Sequence, residues 1–118
     1  MSKPSVAIVG AGRMGQGLAL ALGRAGYAVA LTSRSSHPVI RPLRLHAGPR
    51  GEALRAADVI LLAVPDRAIE PLAADLAAEG SVTRAHTVLH LSGLRDRTAL
   101  VALDSTDAAL GSLHPLQT

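Results

Sequence analysis

The sequence predicts a doubly wound parallel α/β sheet, and three observations carry that expectation. Short apolar runs alternate with stretches of helical spacing along the chain. The first run ends in a glycine-rich turn, Gly10-Ala-Gly12-Arg-Met-Gly15, which opens into a helical pattern. The runs are apolar at consecutive positions, as strands covered on both faces should be. Right-handed crossovers among six such strands give the spatial order 3-2-1-4-5-6.

Each element has its own reason. Residues 6–9, Val-Ala-Ile-Val, form the first strand and stop at Gly10. Met14, Leu18, Ala21, Leu22 and Ala25 then recur at helical spacing, with Gly26 where a C-terminal capping glycine belongs. Residues 28–32 are the second strand, and the Ser-, Pro- and Arg-rich stretch 33–42 is loop. A weak third strand over 43–47 precedes a short helix over 51–57, and residues 58–64 form the clearest strand. Asp66 caps a turn and Pro71 occupies a first helical position. Ile69, Leu72, Ala73, Leu76 and Ala77 give the stripe of a helix lying on a sheet. Residues 87–91 are the fifth strand, Asp96 opens a short helix to about 103, and residues 109–113 are the sixth strand.

Composition narrows the function classes. At 118 residues the chain supports one domain, and 48% hydrophobic against 18% charged residues excludes disorder. There is no cysteine, hence no disulfide, thiolate metal site or catalytic thiol. Trp and Phe are absent and Tyr occurs once, so the core is aliphatic and base-stacking platforms are missing. The arginines are dispersed without lysine clusters, which argues against nucleic acid as a partner. No apolar run reaches the roughly 18 residues of a membrane span. Met1-Ser-Lys-Pro4 leads straight into the first strand, so a soluble, cytoplasmic domain is expected. Charge is uneven: residues 1–51 carry seven basic residues and no acid, whereas 52–118 hold five arginines and all nine acids.

The glycine turn points to a dinucleotide. Gly10 permits a tight turn, Gly12 lets a diphosphate approach the backbone, and Gly15 lets the helix lie against the strand. The amides around Arg13 and Met14 at the helix start favour an anion. A carboxylate about 20 residues past the glycines would select an unphosphorylated adenosine ribose. Thr32-Ser33-Arg34-Ser35 stands there instead. Arg34 can pair with a 2′-phosphate while Ser33 and Ser35 donate hydroxyls, so NADP(H) is the expected cofactor.

Ala63, Val64 and Pro65 follow the fourth strand and are expected to pass over the cofactor. Ser92 and His114 follow the fifth and sixth strands at the same rim. Ser92 either bonds a nicotinamide amide or substrate oxygen, or is a turn serine beside Gly93. His114 either donates a proton to a substrate oxygen or is structural. His86 and His90 lie too far apart on a strand, roughly 13 Å, to share a zinc, and His90 reads as a partly buried structural residue. No metal is expected.

Residues 6–34 together with Ala63-Val-Pro-Asp66 resemble the N-terminal NADP-binding Rossmann domains of the 6-phosphogluconate-dehydrogenase-like superfamily. Pyrroline-5-carboxylate reductase, ketopantoate reductase and deazaflavin-dependent NADP reductases belong to that circle. His90-Leu-Ser-Gly93 and Gly111-Ser-Leu-His-Pro-Leu-Gln117 are similar to a bacterial group of Rossmann-domain oxidoreductases with a helical C-terminal domain, and His114-Pro115 resembles the His-Pro of prephenate dehydrogenases, whose histidine takes part in the reaction. The resemblance implies hydride transfer to or from a small C=O or C=N substrate, with Ser92 and His114 near the nicotinamide. It also implies a helical substrate and dimerisation domain that these 118 residues lack, so the isolated chain is expected to be inactive and to associate, as a homodimer, through the apolar surface such a domain would cover. A non-catalytic NADP(H)-sensing module is the alternative.

Overall fold

The computed structural model describes residues 3–92 and 96–113. In chain order these form β1 (Val6–Val9), α1 (Arg13–Arg24), β2 (Val29–Ser33), β3 (Leu45–Ala47), α2 (Gly51–Ala56), β4 (Val59–Leu62), α3 (Asp66–Glu79), β5 (Thr87–His90), a 3-10 helix (Arg97–Thr106) and β6 (Ala109–Ser112). The strands make one six-stranded sheet in the order β3-β2-β1-β4-β5-β6, every pair parallel. This is the predicted Rossmann-like α/β fold.

Alternation along each central strand explains why the runs are wholly apolar. Val6 and Ile8 face one layer with Leu31, Leu61, Ala19 and the partly buried Leu18 and Leu22. Ala7, Val9, Ile60, Leu62 and Val88 face the other, packed against Leu54, Ile69, Leu76, Leu100 and Leu103. The first layer is covered by α1 and by Val39 and Leu43 of the β2–β3 loop. The second takes α2, α3 and the 3-10 helix, and the last two also pack on each other.

Two helices differ from expectation. In α1 the buried positions are Gly15 and Ala19, flanked by Leu18 and Leu22, while Met14, Ala21 and Ala25 are exposed. The stripe is turned because Gly15, not a large side chain, makes the close approach. Gly26 does end the helix: at φ +95° it donates its N–H to the Gly23 carbonyl, and Tyr27 N–H reaches Leu22. Helix α3 starts at Asp66, so Asp66 is a first-turn acid with no capping bond and Pro71 lies inside the helix. A proline there leaves only the Arg67 carbonyl without its intrahelical donor, and Arg67 is exposed to water. The apolar stripe of Ile69, Leu72, Ala73 and Leu76 is buried as its spacing requires.

The two strand-end histidines are structural. His90 is fully buried rather than partly so: its Nε2 lies 2.7 Å from the Asp96 carbonyl, and its Nδ1 accepts the Ser92 N–H at 3.2 Å. His86 makes the same pair of bonds, to the Leu54 carbonyl at 2.7 Å and from Thr83 N–H at 2.9 Å. Each ring accepts one backbone N–H, which fixes a neutral tautomer with the proton on Nε2. Asp96 caps the 3-10 helix through the Thr98 N–H, and the Thr98 hydroxyl and amide together hold its carboxyl below the usual range.

Candidate functional site

The carboxyl ends of β1, β2 and β4 meet at one edge of the sheet, where the order of connections reverses. Backbone bonds lock the turn after β1 to both neighbours: Gly10 N–H to the Thr32 carbonyl at 3.0 Å, and Ala63 N–H to the Val9 carbonyl at 2.8 Å.

The three glycines do three different things. Gly10 has φ +112°, and a Cβ there would lie 2.2 Å from the Ala63 carbonyl oxygen. A Cβ on Gly15 would lie 1.9 Å from the Gly10 carbonyl oxygen. Neither position can hold a side chain without moving backbone. Gly12 is the opposite case, because a Cβ there would meet nothing within 4 Å. A cradle with open space at its middle glycine and none at its outer two fits a group that approaches the backbone from outside. Gly12 is also the N-cap residue of α1 and makes no side-chain capping bond. The first amides of α1 therefore have no intrahelical acceptor. Arg13 and Met14 are exposed beside them.

A cavity of about 500 Å³ opens from this turn toward the end of β2. Gly10, Ser33, Arg34 and Val64 line it, joined by Arg50, Arg67, Pro71 and Asp75. A second cavity of about 680 Å³ continues it past Arg34, Arg50 and Asp75 to Glu79. Both volumes fall in the range of small-molecule sites. Ala63 is buried against the turn and Pro65 is exposed at the head of α3. Ser35 is exposed and lines neither cavity. Arg13 lines a separate cleft with Gln16, Val39 and Ile40. In that cleft the Gln16 carboxamide donates to the Ala11 carbonyl at 2.8 Å and accepts the Ile40 N–H at 2.8 Å, joining the glycine turn to the β2–β3 loop.

The sequence pattern missed several residues. Arg50, at the head of α2, faces the cavities and forms a two-bond pair with Glu79 at 3.1 and 2.6 Å. Asp75 of α3 lies 2.9 Å from Arg34. The first 51 residues contain no acid, yet the fold brings one to the same rim. Ser92 is buried just beyond β5 and lines neither cavity. His114 falls outside the described residues. Among the described residues, no three His, Cys, Asp or Glu side chains group as metal ligands, and no helix is long and apolar enough to cross a membrane.

A family model described as NADP oxidoreductase, coenzyme F420-dependent, matches residues 5–88. The chain belongs to that family. It is an NAD(P)-binding, oxidoreductase-like domain, and the match spans the glycine turn, Arg34 and the β4–α3 segment. Ser92 and His114 lie beyond it. No curated protein has a significantly matching sequence. Among solved structures, an imine reductase variant from Myxococcus stipitatus in complex with NAD+ is 22% identical with a TM-score of 0.69, covering 92% of this chain and 39% of its own. An NADPH-dependent glyoxylate/hydroxypyruvate reductase from Sinorhizobium meliloti is 20% identical with a TM-score of 0.62, covering 92% and 34%. Phosphoglycerate dehydrogenase from Lactobacillus plantarum is 21% identical with a TM-score of 0.62, covering 91% and 36%. At these identities the likeness is one of fold. The chain spans little more than a third of each of these relatives.

Proposed function

We propose that residues 1–118 are the NADP(H)-binding domain of an oxidoreductase that transfers hydride to or from a small C=O or C=N substrate, working with a helical domain that completes the substrate site. The observation that carries this reading is the open middle glycine between two closed ones, with Arg34 at the rim of the cavity that leads away from it. When bound, the nicotinamide supplies the hydride donor or acceptor.

The chain's own residues supply binding and protons. The amides of the glycine turn and of the first turn of α1, at Arg13, Met14 and Gly15, bind the diphosphate. Arg34 pairs with the adenosine 2′-phosphate, and the Ser33 hydroxyl donates to it. Ala63, Val64 and Pro65, at the end of β4, offer the nicotinamide an apolar surface to lie over. His114 exchanges the proton that the substrate oxygen or nitrogen takes up or loses, whereas Ser92, buried beyond β5 and lining neither cavity, takes the turn-serine role.

Calorimetric titration of the folded chain tests the cofactor. NADPH should be taken up more tightly than NADH. Arg34→Ala should weaken NADPH by roughly 1.5–3 kcal/mol, the scale of a charge-assisted hydrogen bond, and leave NADH nearly unchanged. Uptake of neither nucleotide by a folded sample overturns the reading. Turnover is to be sought in the protein joined to its substrate domain, with carbonyl and imine compounds and with coenzyme F420, which the family description names.

A further inference from the structure

Two carboxylates of α3 face the arginines at the adenosine end, and the two pairs they form are unlike. Arg34 touches Asp75 through one nitrogen at 2.9 Å, with side chains 78% and 48% exposed. Arg50 holds Glu79 through two nitrogens, and its own side chain is only 11% exposed. An exposed single-contact pair in water is weak and opens readily. A two-bond pair with a largely buried guanidinium is geometrically fixed and much less screened. Of the two acids, only Asp75 is bound to the arginine that the sequence places at the 2′-position of the adenosine.

We propose that Asp75 sets the preference between NADP(H) and NAD(H): it is the resident counter-ion of Arg34, which a 2′-phosphate must displace, whereas Arg50 stays with Glu79. The inference rests on the reading that Arg34 meets the 2′-phosphate. Asp75 lines both cavities, so a phosphate at Arg34 lies beside its carboxylate. The dianion would then gain Arg34 and be repelled by Asp75 at once. An unphosphorylated ribose carries no such charge, so the carboxylate penalises one nucleotide and not the other. In most dinucleotide sites an acid at the end of the second strand does this discriminating. Here the acid comes from a helix on the far side of the cavity and acts through the arginine.

Asp75→Asn keeps the shape and removes the charge. Calorimetric titrations of wild type, Asp75→Asn, Arg34→Ala and the double variant with NADPH and NADH, at low salt, decide the matter. Asp75→Asn should bind NADPH about three- to tenfold tighter, the range expected for one nearby surface charge against a dianion. Its NADH affinity should change by less than about twofold. The gain should vanish in the Arg34→Ala background and shrink in high salt. Asp75→Ser should shift the ratio in the same direction, and both variants should melt near wild type. An unchanged or reduced NADPH-to-NADH affinity ratio in Asp75→Asn, with a wild type that does bind NADPH, overturns this inference alone. A gain that persists without Arg34 overturns it too. Failure of wild type to bind either nucleotide overturns both this inference and the cofactor reading.

Discussion

The glycine turn after β1 and the arginine rim after β2 bound one cavity, yet they are held in opposite ways. The turn is fixed by backbone against backbone: Gly10 and Gly15 sit where a single added carbon would overlap a carbonyl oxygen. The rim is fixed by charge, through one exposed pair and one two-bond pair anchored on α3. Steric fixation tolerates nothing and ignores salt. Charge fixation tolerates substitution, responds to ionic strength and can exchange one anion for another. A dinucleotide would therefore find a rigid seat for its diphosphate and an adjustable one for its adenosine end.

The largest expected effect breaks the steric side. Gly15→Ala places a methyl 1.9 Å from the Gly10 carbonyl oxygen and should cost about 3 kcal/mol or more of stability, since overpacking that moves backbone lies at the upper end of its usual range. Denaturant midpoints will measure it, and a loss below 1 kcal/mol would contradict the geometry. Gly12→Ala separates space from stability within the same turn. Its Cβ meets nothing, so the fold should lose under about 1 kcal/mol while NADPH binding weakens tenfold or more, about 1.4 kcal/mol. Equal affinities would remove Gly12 from the diphosphate seat.

Smaller effects test the charged side. Glu79→Gln breaks a two-bond pair whose arginine is largely buried, and should cost about 1 kcal/mol on melting at low salt. Asp75→Asn breaks the exposed pair and should cost under about 0.5 kcal/mol. Identical losses in the two variants would erase the distinction between a fixed and an exchangeable pair.

Much of this was legible in the sequence, and the exceptions share a cause. The six strands and their order follow from apolar runs, because a parallel sheet covered on both faces needs no alternation to be recognised. The differences lie at strand ends: β2 is shifted by one residue to Val29–Ser33, β3 begins at Leu45 instead of residue 43, and β4 ends at Leu62 before the expected close at 64. The face of α1 was not legible, because scanning for large apolar residues favours Met14 and overlooks a buried Gly15. The start of α3 was hidden by Pro71, which is more common in a first turn than at a sixth position. The tight backbone approach at Gly10 and Gly15, and the placing of Arg34 at the cavity rim, could be read from spacing within one βαβ unit. Asp75 and Glu79 could not, because they stand at the border of the apolar stripe, three and seven residues after Leu72, where an acid usually signals only a solvated surface. Arg50 carried a faint signal, standing between β3 and α2 at the same sheet edge as the other strand ends.

The Gln16 side chain adds a constraint of its own. One planar group spans two loops, offering its nitrogen to Ala11 and its oxygen to the amide of Ile40. Only an uncharged amide has a donor and an acceptor to present in that order; a carboxylate would set acceptor against acceptor at Ala11. The segment carrying the arginine and the bend carrying the diphosphate amides are thus stitched together, and the positions of the two anions a nucleotide would bring are registered to each other before it arrives.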